Sequence, residues 1–272
     1  MQANGLAIVG ITRFSVISPR TLFAFEKTQC AIDDARRHVH DPRRLSRRFA
    51  LFRAFPLPSM AEIARRHPLF LYAVLISADL PWRWKFALHW MAYRRPWLRV
   101  VTVPQDEHIS NVSAKVVTTF AGHRRSFNFR IDDDDALAPS FLDAVLQQSE
   151  VSTDDVVLSF GEGFYLQAAG PGALKLQERK YRNSSVGLGL FSSNARIKSI
   201  YALGNHRKVH EVRPVVDVAD RHYWISTIHS DNDSSKAIPK SEKAIPQDVA
   251  RARLAPIFPH LDLEQAFAAL VD

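Results

Sequence analysis

Apolar and polar positions alternate through Phe127-Asn128-Phe129-Arg130-Ile131, the period of a half-buried strand, and that strand runs into Asp132-Asp133-Asp134-Asp135. Pro139 then opens a helical run from Ser140 to Leu146. Proline fits the first turn, where its missing N–H has no partner to lose. Continuous apolar runs at Leu6–Ile11 and Leu69–Ile76 read as strands buried on both faces, as at the centre of a parallel sheet. Shorter strands are expected at Leu98–Val103 and Asp155–Phe160.

Helical patterns separate them. Ser59 with Glu62 three residues on makes a capping box. Pro81–Trp97 places Trp82, Phe86, Trp90, Tyr93 and Trp97 near one face, which predicts packing on the sheet, with a membrane-surface helix as the second use. Asn111–Phe120 is a third helix, and Thr12–Ser15 reads as a turn. Strands alternating with helices predict an α/β fold, a central, mostly parallel sheet flanked by helices. Lys236-Ala237-Ile238-Pro239 recurs as Lys243-Ala244-Ile245-Pro246, which reads as a linker, and Leu261–Val271 reads as a short amphipathic helix. The expected division is a main domain over 1–235 and a linker with a helical extension over 236–272.

Composition narrows the function. At 272 residues and 46% hydrophobic, the chain can bury one good core. Its apolar runs are too short to span a bilayer, and Met1–Gly10 lacks the basic start and long apolar core of a signal peptide. The single cysteine, Cys30, excludes an internal disulfide and a cysteine-based zinc site, so a cytoplasmic location is expected. Net charge is +8, which suits nucleic acid, anionic lipid or a polyanionic substrate. The arginine pairs of residues 36–48 read as a solvated basic face, available to an anionic membrane. Dinucleotide-binding and P-loop glycine patterns are absent, as are RNA-recognition and zinc-finger signatures, so nucleic acid is not an expected partner.

The acidic run carries the chemistry. Four adjacent carboxylates repel one another and favour a cation between them. Facing a helix dipole would need only one or two. At the carboxyl end of a strand in an open α/β sheet they lie where such sheets bind ligands, and hard oxygen donors suit Mg²⁺ or Mn²⁺ on a diphosphate. Asp231, Asp233, Ser235 and Glu242 have the spacing of an EF-hand loop, but Lys236 stands where that loop needs glycine and Pro239 interrupts it.

An apolar strand, Asp-x-Asp-Asp, and a Pro-led helix together resemble the Asp-x-Asp region of glycosyltransferases with the GT-A fold. The string Arg130-Ile131-Asp132-Asp133-Asp134-Asp135-Ala136-Leu137 is similar to the rhamnosyltransferase family of bacteria, over roughly residues 6–235. That resemblance implies a GT-A-like single domain, a nucleotide-sugar donor (dTDP-L-rhamnose), Mn²⁺ or Mg²⁺, and a glycan or lipid-linked glycan acceptor reached from the inner face of the membrane. It implies donor contacts from Thr12, Arg13 and Phe14 after the first strand, and from Asp79 after the second. Lys115 would approach the diphosphate, with Arg130, Asp132 and Asp133 also on the donor. Asp134 and Asp135 would hold the metal, completed by His229 in the element His229-Ser230-Asp231-Asn232-Asp233-Ser234. Glu162, between Gly161 and Gly163, is the candidate base for the acceptor hydroxyl, with Asp217 and Asp220 as rivals. Two other classes use similar composition: a metal-dependent nuclease or phosphotransferase, and a basic binding module for nucleic acid.

Overall fold

The computed structural model describes residues 5–17, 32–193, 198–232, 238–239 and 241–271. Cys30 and the first Lys-Ala-Ile-Pro copy, apart from Ile238 and Pro239, lie outside those residues. Four strands run parallel in the order expected of apolar runs separated by helices: β1 (Ala7–Phe14), β2 (Phe70–Ser77), β3 (Leu98–Val103) and β4 (Ser126–Arg130). Between β1 and β2 come α1 (Ile32–Val39), α2 (Pro42–Ala54) and α3 (Pro56–Arg66). Helix α4 (Trp82–Tyr93) joins β2 to β3, and α5 (Ile109–Ala121) joins β3 to β4.

After β4 the chain forms β5 (Ala136–Leu137), α6 (Pro139–Val151), β6 (Val157–Phe160), β7 (Glu162–Ala168), β8 (Ala173–Lys180) and β9 (Gly189–Ser192). It continues through short 3₁₀ turns at Ile200–Leu203 and His206–Glu211 to β10 (Val215–Val218) and β11 (Trp224–Ile228). The seven-stranded sheet has the order β10-β6-β9-β4-β1-β2-β3. Only β9 runs against its neighbours. Strand order reverses between β1, which leads to β2 and β3, and β4 on its other side. That makes the carboxyl ends of β1 and β4 the topological switch point, where open α/β sheets bind ligands.

Side-chain alternation sorts the two faces. Ile8, Tyr72, Val74, Phe127 and Phe129 pack against Leu45 and Phe52 of α2, Met60 of α3, Trp84 of α4 and Phe141 of α6. Val9, Ile11, Leu71 and Ala73 pack on the other face against Val112, Val116 and Val117 of α5. β4 is buried on both faces rather than half-buried: Asn128 is inaccessible, and its amide accepts from Ile200 N at 2.7 Å and donates to Lys198 O at 3.0 Å. On β9, Gly189 pairs with Phe129 and is required there, since a Cβ would lie 2.1 Å from the Phe127 ring.

Several expectations change. β1 continues through Phe14, so Thr12–Phe14 is strand and not turn. Ser59 lies inside α3, where its hydroxyl donates to Phe55 O and accepts from Leu137 N, so it caps nothing. A second sheet, β12 (Ile245–Pro246)-β8-β7-β11-β5, was not expected. Its members were too short, or too polar on one face, to stand out in sequence. The second Lys-Ala-Ile-Pro copy supplies β12, pairing with β8. α7 (Gln247–Leu254) and α8 (Leu263–Val271) share one core with Leu51 and Phe55 and with Leu166, Leu174 and Ile225 of the second sheet. The extension is therefore packed into the main body. No helix among the described residues is long and apolar enough to cross a membrane.

Candidate active site

Alternation divides the acidic run. Arg130 and Asp132 fall on the α5 face of the sheet with Arg13 of β1, while Asp133 turns to the α2 face. At the switch point Asp132 Oδ1 lies 3.4 Å from Arg130 and 3.8 Å from Arg13. Both guanidinium groups lie over the Tyr201 ring, at 5.4 and 5.7 Å. Burial raises the Tyr201 hydroxyl above its ordinary range, against the pull of Arg130 and Arg13. Tyr201 owes its place to Asn128, which grips the chain at Lys198 and Ile200, and to the Ser113–Ser199 hydroxyl contact of 2.7 Å that ties the 3₁₀ turn to α5. His206 sits nearby, lowered by burial. Asp132 is 27% exposed and Arg13 41%, so this cluster opens to solvent.

Asp133 has a different task. It is fully buried and paired with Arg48 of α2, whose Nε donates to Oδ2 at 2.9 Å while a second nitrogen reaches Oδ1. Burial pushes Asp133 up to about 6, with Arg48 pulling the other way. A bidentate arginine pair of this kind fixes the acidic loop on α2. Asp133 is thus a structural anchor and not a donor contact. Arg44 and Arg48 are buried, and Arg47 pairs with Asp231 at 3.2 Å, so these arginines are not the solvated face expected of residues 36–48.

Asp134 faces the end of β11. Thr227 Oγ1 donates to its carbonyl at 3.0 Å, and its Oδ2 accepts from His229 Nε2 and Asn232 Nδ2, each at 2.9 Å. Trp224 positions β11: its indole donates to Phe160 O at 2.7 Å, and its ring fills the space that only Gly163 leaves. Burial raises the Asp134 carboxyl, but the His229 hydrogen bond and the Arg48 charge outweigh it and hold Asp134 below the usual range. Asn232 was missed in sequence although it stands in the His-x-x-Asn-x-Ser element; it binds both Asp134 and the His229 backbone N, the latter at 2.6 Å.

Among the described residues no three His, Cys, Asp or Glu side chains gather as a metal site. Asp135, 1% exposed, does not join Asp134 and His229. The remaining pair, one carboxylate and one imidazole, fits Mg²⁺ or Mn²⁺, which bind through one or two protein ligands and complete their shell with phosphate oxygens and water. A cation on His229 Nε2 would need the ring proton on Nδ1, so both the hydrogen bond that Nε2 now donates to Asp134 and the Asp231 N–H contact with Nδ1 at 3.2 Å would be given up.

The other candidates lie elsewhere. Thr12 is buried, donating to Ile131 O at 2.9 Å and lying 2.6 Å from the Tyr72 hydroxyl, and Phe14 is in the core. Neither reaches a donor. Asp79 stands at the end of β2 but pairs with Arg36 at 2.7 Å. Lys115 lies on the solvent side of α5, 3.9 Å from Glu107. Glu162 pairs with Lys180 at 2.8 Å. Along the parallel β7–β11 pair it is level with Tyr223, six residues before His229. That is about 20 Å along a strand, so Glu162 and the Asp134–His229 pair do not form one site. Asp217 and Asp220 face Arg182 and Arg221.

A model of the family described as "Putative rhamnosyl transferase" matches residues 7–241. The chain belongs to this family. It is a glycosyltransferase. No curated protein matches it. Among solved structures, Staphylococcus aureus TarS in complex with UDP is 11% identical, with a TM-score of 0.43 over 82% of this chain and 60% of that one. TarS in complex with UDP-GlcNAc is also 11% identical, with a TM-score of 0.39 over 96% of this chain and 68% of that one. A "Putative Glucose-1-Phosphate Thymidylyltransferase" from Bacillus anthracis is again 11% identical, with a TM-score of 0.39 over 80% of this chain and 89% of that one. These likenesses concern the broad course of the chain. The identification rests on the family match.

Proposed function

We propose that this family member moves L-rhamnose from dTDP-L-rhamnose to a hydroxyl of a glycan, free or lipid-linked. The observation that carries the reading is the pairing of Asp132 with Arg13 and Arg130 around Tyr201 at the switch point of the sheet. Asp132 is placed to accept from donor hydroxyls. Arg13 and Arg130 offer charge-assisted hydrogen bonds to the diphosphate as negative charge develops on it. Tyr201 fixes both guanidinium planes. Asp134 and His229 would hold Mn²⁺ or Mg²⁺, which supplies Lewis-acid charge neutralisation to the departing diphosphate. Asp133 with Arg48 and Asn232 with His229 keep those groups in place.

A nuclease or phosphotransferase using two metals would need a second set of carboxylates beside Asp134. Among the described residues no three His, Cys, Asp or Glu side chains gather to form such a clamp. The test is a thermal-shift panel of nucleoside diphosphates and nucleotide sugars with Mn²⁺. A true donor raises the melting temperature by mass action, about 2.7 kcal/mol at a hundred times its dissociation constant. A panel in which dTDP and dTDP-L-rhamnose shift nothing refutes the donor assignment.

A further inference from the structure

Helix α4 carries two apolar faces. Trp84 and Leu88, one turn apart, are buried against the sheet. Trp82, Phe86, Trp90 and Tyr93 recur at the same helical spacing on the opposite side and are 79%, 63%, 56% and 84% exposed. Phe86, Trp90 and Tyr93 stack in sequence along the helix, with ring centroids 6.3 and 6.1 Å apart, into a continuous ridge. The packing on the sheet expected of these four rings is thus made by Trp84 and Leu88 instead. Trp97 alone of the five aromatics packs inward, 6.4 Å from Phe70.

An exposed aromatic ridge of this size marks an interaction surface. The segment that carries it is of one sign: residues 81–99 contain Arg83, Lys85, Arg94, Arg95 and Arg99 and neither Asp nor Glu. The charge argues against a second copy of the chain, because a two-fold contact through this face would set like charges against like. It also argues for an anionic surface. The mutual stacking of the rings favours lipid over single-stranded nucleic acid, since bases need free ring faces. Trp and Tyr beside Arg and Lys are the residues that settle at the headgroup level of a bilayer, with rings toward the acyl boundary and charges on phosphates. We propose that α4 docks this protein on an anionic lipid bilayer. The helix begins three residues after Asp79 at the carboxyl end of β2, the same edge of the sheet that holds Arg13 and Asp132. Docking through it would set the start of α4, which lies at that edge, on the bilayer. The proposal does not depend on which sugar is transferred.

The experiment is co-sedimentation of the full chain with vesicles of phosphatidylcholine, alone or mixed with phosphatidylglycerol. Binding is expected on the mixed vesicles only, reversed by salt, with tryptophan emission shifting to the blue. Trp82→Ser/Phe86→Ser/Trp90→Ser/Tyr93→Ser should abolish it while leaving thermal unfolding little changed, because the four side chains are exposed. Arg83→Ser/Arg94→Ser/Arg95→Ser, which leaves the aromatics alone, should weaken partitioning roughly a hundredfold, each basic group being worth a factor of about five. Absence of wild-type binding to mixed vesicles overturns the proposal, as does undiminished binding by the aromatic variant. A dimer in light scattering that the aromatic substitutions dissolve, or RNA binding that they abolish, would give the ridge to another partner and equally overturn it. Should the aromatic variant fail to fold, quenching of wild-type tryptophan by brominated lipid decides the matter: quenching supports docking, and none refutes it.

Discussion

Replacing Arg48 with Met tests what fixes the acidic loop. Arg48 holds both oxygens of Asp133, a carboxylate with no solvent access, across 85 residues of sequence. Met keeps most of the aliphatic volume and removes the charge, so the loss is electrostatic and not a cavity. Breaking a buried pair from one side costs about 3–5 kcal/mol, because the remaining charge is left uncompensated. At about 2–4 °C per kcal/mol for a chain of this size, the melting temperature should fall by roughly 6–20 °C. The pH dependence has a definite sign. Asp133 is raised in the fold to about 6 from an ordinary 3.8. A group raised by folding favours the native state most when protonated, and that contribution is lost as pH rises through the folded value. Without Arg48 the value climbs further, so the variant's deficit should be larger at pH 8 than at pH 5. Thermal unfolding followed by circular dichroism at both values measures this. Arg48→Met/Asp133→Leu, with neither charge left, should recover most of the loss. A single variant within about 1 kcal/mol of wild type, or a deficit that grows on acidification, would mean that the Arg48–Asp133 pair does not anchor the loop.

Three further outcomes are expected. Asp134→Asn should remove the Mn²⁺-dependent part of nucleoside diphosphate binding in calorimetry while the fold persists; affinity equal to wild type, with and without EDTA, would remove Asp134 from any metal role. Asn128→Ala should cost about 2 kcal/mol in urea unfolding, since it strands the buried Ile200 N–H and Lys198 carbonyl, and should loosen donor binding through Tyr201; an unchanged midpoint would separate Tyr201 from Asn128. Glu162→Gln should leave turnover within a few-fold of wild type, because its partner is Lys180; a fall of about 10²–10⁴ would make it the acceptor base after all.

The sequence revealed the large features because they rest on local pattern. The apolar runs of β1, β2 and β3, the Pro-led α6 and the acidic run after β4 all sit where periodicity and turn chemistry place them. The pairing of Asp134 with His229 followed from the family resemblance, not from any spacing between residues 95 positions apart. What stayed hidden depends on tertiary contact. Nothing local says that Asp133 turns toward Arg48 while Asp132 turns toward Arg130, although strand alternation carried three residues past β4 suggests it. Tyr201 joins the site through tertiary contacts: a buried Asn128, on the position that alternation marks as polar, and the Ser113–Ser199 pair hold its turn. The second sheet escaped notice because its strands are short or polar on one face, and Ser59 imitated a cap it does not make.

Cleavage of a nucleotide sugar at the cluster of Asp132, Arg13 and Arg130 can be followed directly. The direct measurement is release of dTDP from dTDP-L-rhamnose, followed by phosphorus NMR with Mn²⁺ present, for wild type and Asp132→Asn. Wild type should release dTDP, faster once a glycan acceptor is added, and the variant should release it far more slowly with its melting temperature unchanged. Equal rates in the two proteins would take Asp132 out of donor cleavage, and no release by wild type with any acceptor would rule out dTDP-L-rhamnose as the donor.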